Sequence, residues 1–244
     1  MDFTLAKYTE LLHALKSYGF DTLTLRHDVD LKPANSFRTA RIESDLGLHG
    51  IYYFRAVPES WDEAIIQQIA GLGHEIGYHY ESLTTCKGDI DAAYYDFCRN
   101  LETLRKLTTV KSICMHGSPR SPWDSKEIWK KYDYHALGIE KEPYLDTDFS
   151  KVFYLTDTGR RWDGYKVSVR DKIPQYQDEW TAKGLVFHST DDVIKGLRDD
   201  IIPKDLIITV HPQRWNPFGL TWCKELLLQS AKNIVKRTIV MKKK

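Results

Sequence analysis

No run of about 18 consecutive apolar residues occurs in this chain, so no segment of it reads as a membrane-spanning helix. Cysteine is sparse, and Cys86, Cys98, Cys114 and Cys223 show no Cys-x-x-Cys spacing; they read as reduced core or helix residues. Residues 1–7 lack a basic region followed by an uninterrupted apolar stretch, so no export signal of that kind is expected and the expected location is cytoplasmic. Charge of one sign is missing too, with 35 basic residues against 34 acidic ones. Nothing global therefore points to a nucleic-acid groove, and no nucleic-acid partner is expected. There is no internal repeat and no low-complexity linker, and the run Lys242, Lys243, Lys244 reads as a solvated end.

What is present is a regular alternation. Helical spacing over residues 3–18 stops at Gly19, and a strand follows over 22–26. Helices are then expected near 33–45, 61–71, 89–107 and 125–132, with strands at 51–55, 75–79 and 112–115 between them. Residues 143–178 turn irregular, rich in aromatics, Gly and Asp, with short strands at 152–155 and 166–169; this stretch reads as an insertion over one face. The alternation resumes with a strand at 185–188, a helix at 191–199, a strand at 206–210 and a long amphipathic helix at about 221–240. A length of 244 residues suits one α/β domain over 1–244, and about seven core strands suggest an incomplete (β/α)7-type parallel barrel.

Four histidine- or aspartate-bearing segments close strand-like runs. Asp28 and Asp30 follow the first strand and, two residues apart, share a face, so one carboxylate can bind a metal while the other takes a proton from the attacking water. His79 and His116 each end a strand and are credible ligands beside them, because one carboxylate with two imidazoles suits a divalent ion with open positions. His211, before Pro212, reads as a general acid rather than a ligand. Zinc is the first choice for such a donor set, with cobalt, nickel, iron and manganese also compatible.

These segments resemble the motifs of the polysaccharide deacetylase family, carbohydrate esterase family 4, over most of the chain. Arg26-His27-Asp28-Val29-Asp30 is similar to the family's first motif, which implies Asp28 as base and Asp30 as ligand. Gly73-His74-Glu75-Ile76-Gly77-Tyr78-His79 resembles the opening of the second and implies His79 as ligand, with His74 structural. Thr209-Val210-His211 resembles the last motif, whose histidine is the acid; residues 115–122 stand where a groove-lining motif is expected. The implied fold is the distorted barrel of the glycoside hydrolase/deacetylase superfamily. One position departs: where the family has a second metal-binding histidine, four residues after His79, this chain has Leu83. The site is then either inactive or rebuilt, and the expected replacement is His116, giving Asp30, His79 and His116.

Residues 154–164 are the candidate substrate wall. Arg160 or Arg161 can fork onto a carboxylate or phosphate, Asp157 can orient His211, Trp162 can stack on a sugar face, and Arg214 and Trp215 can add to the rim. His188 is an alternative ligand or polar contact, Glu81 an alternative ligand, and His27 a core or supporting residue, whereas His13, His49 and His135 carry no partner pattern. The resemblance lies nearest a divergent subgroup tied to bacterial surface polysaccharides such as lipopolysaccharide or capsule. It implies a metal-dependent carbohydrate N-deacetylase acting on an N-acetyl amino sugar in a glycoconjugate precursor. The rival expectations are an inactive carbohydrate-binding or scaffold protein on the same barrel, and a metal-dependent amidohydrolase acting on a non-sugar substrate.

Overall fold

A computed structural model describes residues 1–118, 121–162 and 171–242, with the side chains of the last helix described as far as Ile234. The chain opens with α1 (Leu5–Ser17), capped by the Thr4 hydroxyl on the Lys7 amide, whose spaced Tyr8, Leu11, Leu12 and Leu15 are buried. Then come β1 (Thr22–Val29), α2 (Pro33–Asp45), β2 (Ile51–Phe54), α3 (Glu63–Gly71), β3 (Glu75–Tyr80), the short α4 (Ser82–Thr85), α5 (Ile90–Arg105) and β4 (Val110–Met115). The second half holds α6 (Pro143–Asp146), β5 (Phe153–Thr156), α7 (Pro174–Ala182), α8 (Thr190–Arg198), β6 (Asp205–Val210) and α9 (Leu220–Lys242).

The six strands form one all-parallel sheet in the order β4-β3-β2-β1-β6-β5. Read cyclically, this is chain order with one break, between β4 and β5. Side chains span the break: Tyr144 on α6 and Tyr154 on β5 bring their hydroxyls to 3.5 Å. Parallel strands need helical crossovers and are covered on both faces, which accounts for β1 being buried from Leu25 through Val29 even though Arg26, His27 and Asp28 are polar. No described helix is long and apolar enough to cross a membrane.

The strand expected at 185–188 does not form, so the sheet has six strands rather than seven among the described residues. Leu185 and Phe187 are buried in the core as the alternation implied, but their backbones join no ladder. The expected strand at 166–169 lies outside the described residues. The helix expected at 125–132 is a 3-10 segment, Ser125–Lys130, and part of the irregular stretch is the helix α7.

Two glycines of the second motif have distinct backbone reasons. Gly73 turns the chain into β3 at φ +88°, and at Gly77 an added Cβ would lie 2.3 Å from the Tyr53 ring. Gly77→Ala is therefore expected to lower stability by about 1–3 kcal/mol through overpacking. Urea unfolding measures it, and an unchanged midpoint would mean that the Tyr53 ring shifts freely.

Alternation along β1 sends His27 to the opposite side from Arg26 and Asp28. His27 stacks on Tyr52, its Nε2 lies 2.7 Å from Glu43, and the Tyr8 and Tyr52 hydroxyls both donate to the Glu43 carboxylate. Burial acts to raise the Glu43 pKa, but the His27 imidazole, the Tyr8 hydroxyl and His74 hold it below its ordinary value. The ring of His74 accepts the Gly50 amide hydrogen at Nδ1 and donates from Nε2 to the Ala40 carbonyl, at 2.9 Å, tying β3 to the loop before β2 and to α2.

Candidate metal centre

The chemistry-bearing side chains gather at the C-terminal edge of the sheet, at the ends of β1, β3, β4 and β6. Arg26 and Asp28 point the same way from β1, and the guanidinium grips the carboxylate with two hydrogen bonds, Nε to Oδ1 at 2.8 Å and Nη2 to Oδ2 at 2.7 Å. The guanidinium is fully buried and lies 4.8 Å from the centre of the Tyr144 ring. Burial works against its charge, yet Asp28 keeps its pKa well above the ordinary arginine value.

Asp30 comes just beyond the strand. Its Oδ1 is buried without a hydrogen-bond partner and faces two imidazole nitrogens, His79 Nε2 at 3.6 Å and His116 Nε2 at 3.5 Å. Its Oδ2 accepts from the Gln213 amide at 3.0 Å. Burial alone would raise the Asp30 pKa; His79, His116 and His211 together hold it well below the usual carboxylate range. Both imidazoles are turned by their other nitrogen. His79 Nδ1 donates to the Cys114 carbonyl at 2.8 Å, and His116 Nδ1 donates to Glu81 Oε2 at 2.8 Å, so Nε2 is the nitrogen of each ring that faces Asp30, the one whose lone pair a metal would take. Glu81 is held in turn by Arg55 at 2.6 Å; although burial opposes it, His116 and Arg55 draw its pKa down to about 2.

Asp30, His79 and His116 thus offer one oxygen and two nitrogens, all within 4.8 Å of one another. Ligand atoms about 2.0–2.2 Å from a tetrahedral ion sit roughly 3.4 Å apart, close to the observed separations. This donor set fits a divalent metal, and a buried carboxylate oxygen with no hydrogen to accept is what such an ion would satisfy. Asp28, His79 and Cys114 also cluster, but Arg26 already occupies Asp28 and burial pushes the Cys114 thiol pKa well above its ordinary value, keeping it protonated at neutral pH. Leu83, at the position of the missing histidine, packs with Ala93 and Ile128 in a small apolar cluster.

His211 faces the cluster from β6. Its Nδ1 donates to Asp157 Oδ1 at 2.6 Å and its backbone amide to Oδ2 at 3.1 Å, leaving Nε2 4.0 Å from Asp30 Oδ2 and 4.0 Å from Asp171 Oδ2. Asp157 is fully buried and also accepts from Arg214 at 2.5 Å and from the Trp215 indole at 2.8 Å. Burial raises the Asp157 pKa, but Arg214 and His211 outweigh it and keep the carboxyl ionised.

Several residues expected to line the substrate wall are placed elsewhere. Trp162 is buried, stacked near Phe3 with its indole donating to Thr190, and Trp215 is wholly enclosed against Phe3 and Tyr8. Neither has a face for a sugar. Arg160 lies over the Phe3 and Trp222 rings, and Arg214 serves Asp157 inside the protein, so neither forms an exposed fork. Arg161 and His188 contact each other at 3.0 Å, and His188 is in neither cluster of candidate metal ligands. Pro119 and Arg120 of the groove-lining stretch lie outside the described residues.

Four participants were not singled out from the sequence: Arg26, Arg55, Gln213 and Asp171. Arg26 had a usable signal, its position two residues before Asp28 on a strand. Asp171 had none, because it reaches the site from the irregular stretch, where Thr156, Thr158 and Tyr154 donate to it.

Removing the carboxylate behind His116 tests this arrangement separately from its ligands. Glu81→Gln is expected to weaken metal binding by about 10- to 100-fold with the fold intact. Titration with a competing chelator reads it, and parent-like affinity would show that the Glu81–His116 contact does not support a ligand.

No protein-family model matches the chain, and no curated protein does.

Proposed function

We propose that the protein is a metal-dependent hydrolase that removes an acyl group, acetyl from an N-acetyl amino sugar in a surface-polysaccharide precursor, on a distorted (β/α) barrel open between β4 and β5. The observation that carries this is the orphaned Oδ1 of Asp30 between two imidazoles, with a second carboxylate and a third imidazole held alongside by buried partners. A metal held by Asp30, His79 and His116 would supply Lewis acidity toward a carbonyl oxygen and make a water acidic near neutral pH. Arg26 fixes the Asp28 carboxylate where it can accept the proton of the attacking water. His211, with Nδ1–H committed to Asp157, can carry a proton only at Nε2 for delivery, and that is the atom facing the cluster; the departing amine nitrogen receives it. Asp157 holds the ring in this orientation through Oδ1 on Nδ1 and Oδ2 on the backbone amide. Asp30 and His116 are part-exposed while Asp28 and His79 are buried, so substrate reaches the site from the Asp30 and His116 side.

The deciding experiment is to reconstitute the chain with zinc, cobalt or manganese and assay N-acetylglucosamine conjugates for acetate and for ammonia. Acetate release that a chelator abolishes is the expected result. Ammonia instead of acetate would move the reaction to another amide, and neither product from metal-loaded protein would overturn the hydrolase reading.

A further inference from the structure

The helix α9 is packed the wrong way round for a soluble surface. Its inward residues are Trp222, Glu225 and Gln229, with half-buried Asn233, and their bonds are polar: the Trp222 indole donates to the Asp2 carbonyl at 2.8 Å, Glu225 pairs with Lys32 at 3.1 Å, and Asn233 donates to the Gly159 carbonyl at 2.8 Å. The leucines are outside. Leu220 is 82% exposed, Leu227 71% and Leu228 58%, with Phe218 just before the helix at 66%. At 100° per residue Leu220, Leu227, Leu228 and the exposed Ile234 share one side, opposite the inward residues. Water is a poor solvent for such a stripe, and a contiguous exposed apolar face marks an interaction surface.

Charge says which kind. Residues 220–244 contain seven basic side chains, Lys224, Lys232, Lys236, Arg237, Lys242, Lys243 and Lys244, against the single acid Glu225, which Lys32 already pairs. This segment carries a net +6, whereas the other 28 basic and 33 acidic residues sum to −5, so the near-neutral total hides a cationic C-terminal segment in an otherwise acidic chain. A second copy packed on the same stripe would bring +6 against +6. An anionic lipid surface accepts leucines into its interfacial region and attracts a segment with this excess of basic residues.

We propose that α9 docks the protein on an anionic membrane surface, lying in the interface rather than spanning it. The helix rests on the loops that leave β1 and β5, through Lys32 and Gly159, and these loops also carry Asp30 and Asp157. Docking through the opposite face therefore leaves α9 lying between the lipid and these loops. This inference rests on exposure and charge and stands whether or not the centre hydrolyses a sugar amide.

The test is co-sedimentation of the full chain with vesicles of phosphatidylcholine mixed with phosphatidylglycerol, and of phosphatidylcholine alone, at low and high salt. The parent is expected to pellet with the anionic vesicles only and to be released by salt. Leu227→Asp combined with Leu228→Asp, both exposed positions, should lose about tenfold or more in partitioning, with metal content and thermal unfolding unchanged. Lys232→Gln, Lys236→Gln and Arg237→Gln together should lose a similar factor with the leucines intact. A parent that stays in the supernatant with anionic vesicles at low salt would overturn the proposal. So would a parent dimer in sedimentation velocity that the leucine variant dissociates without vesicle binding, since the stripe would then join two copies. Equal binding of the parent and both variants would also overturn it.

Discussion

Asp30→Ala is expected to abolish metal binding: the unaltered chain should hold about one equivalent of zinc or a similar divalent ion after reconstitution, and the variant less than about a tenth of that. His116→Ala should behave alike, because among the described residues the Asp30 group comprises three ligands and each is a large share of the donor set. The loss should exceed the roughly 10- to 100-fold that follows removal of a supporting partner such as Glu81. Elemental analysis of dialysed protein measures it. A parent with no metal even after reconstitution would remove the centre, and parent-like metal in His116→Ala would return the third-ligand question to Glu81. Asp30→Ala also removes a part-exposed negative charge facing three imidazoles, so thermal unfolding on the same samples separates lost metal from lost fold.

The order of elements was legible because each reported itself through its own side chains. α2 runs from Pro33 to Asp45 as the proline start and the periodicity imply, and the β3 motif ends where His79 meets the edge of the sheet. The pairing of Asp157 with His211 was also foreseeable, since a short strand before one and β6 before the other make neighbouring strand ends plausible. The failures share a cause: side-chain alternation reports which positions are buried but not what the backbone pairs with. Residues 185–188 bury Leu185 and Phe187 in the strand-like period, yet their backbones pair with no strand among the described residues. Likewise an aromatic in an irregular stretch can face solvent or core with the same neighbours in sequence. Trp162 and Trp215 went to the core because Phe3, from the other end of the domain, packs against both. Contacts between such distant positions leave no local pattern.

The two carboxylates of the first motif are separable by their partners. Asp30 keeps an oxygen open toward His79 and His116, whereas both oxygens of Asp28 are gripped by Arg26, so the first can bind a metal and the second is held in place to move a proton. Asp28→Asn preserves shape, leaves the three ligands untouched and removes the proton acceptor. It should therefore keep about one metal equivalent and lose roughly 10²- to 10⁴-fold in acetate release. The amide cannot accept from both Arg26 donors as the carboxylate does, so some loss of stability is expected as well, and denaturant unfolding must show the variant folded at the assay temperature. His211→Gln removes the acid and should lose a comparable factor. If the two groups act in one proton pathway, the double variant should lose far less than the product of the single losses, because once either transfer fails the other has little left to accelerate. Multiplicative losses would instead mean that Asp28 and His211 contribute independently. A fully active Asp28→Asn protein would leave Asp28 only the role of neutralising Arg26.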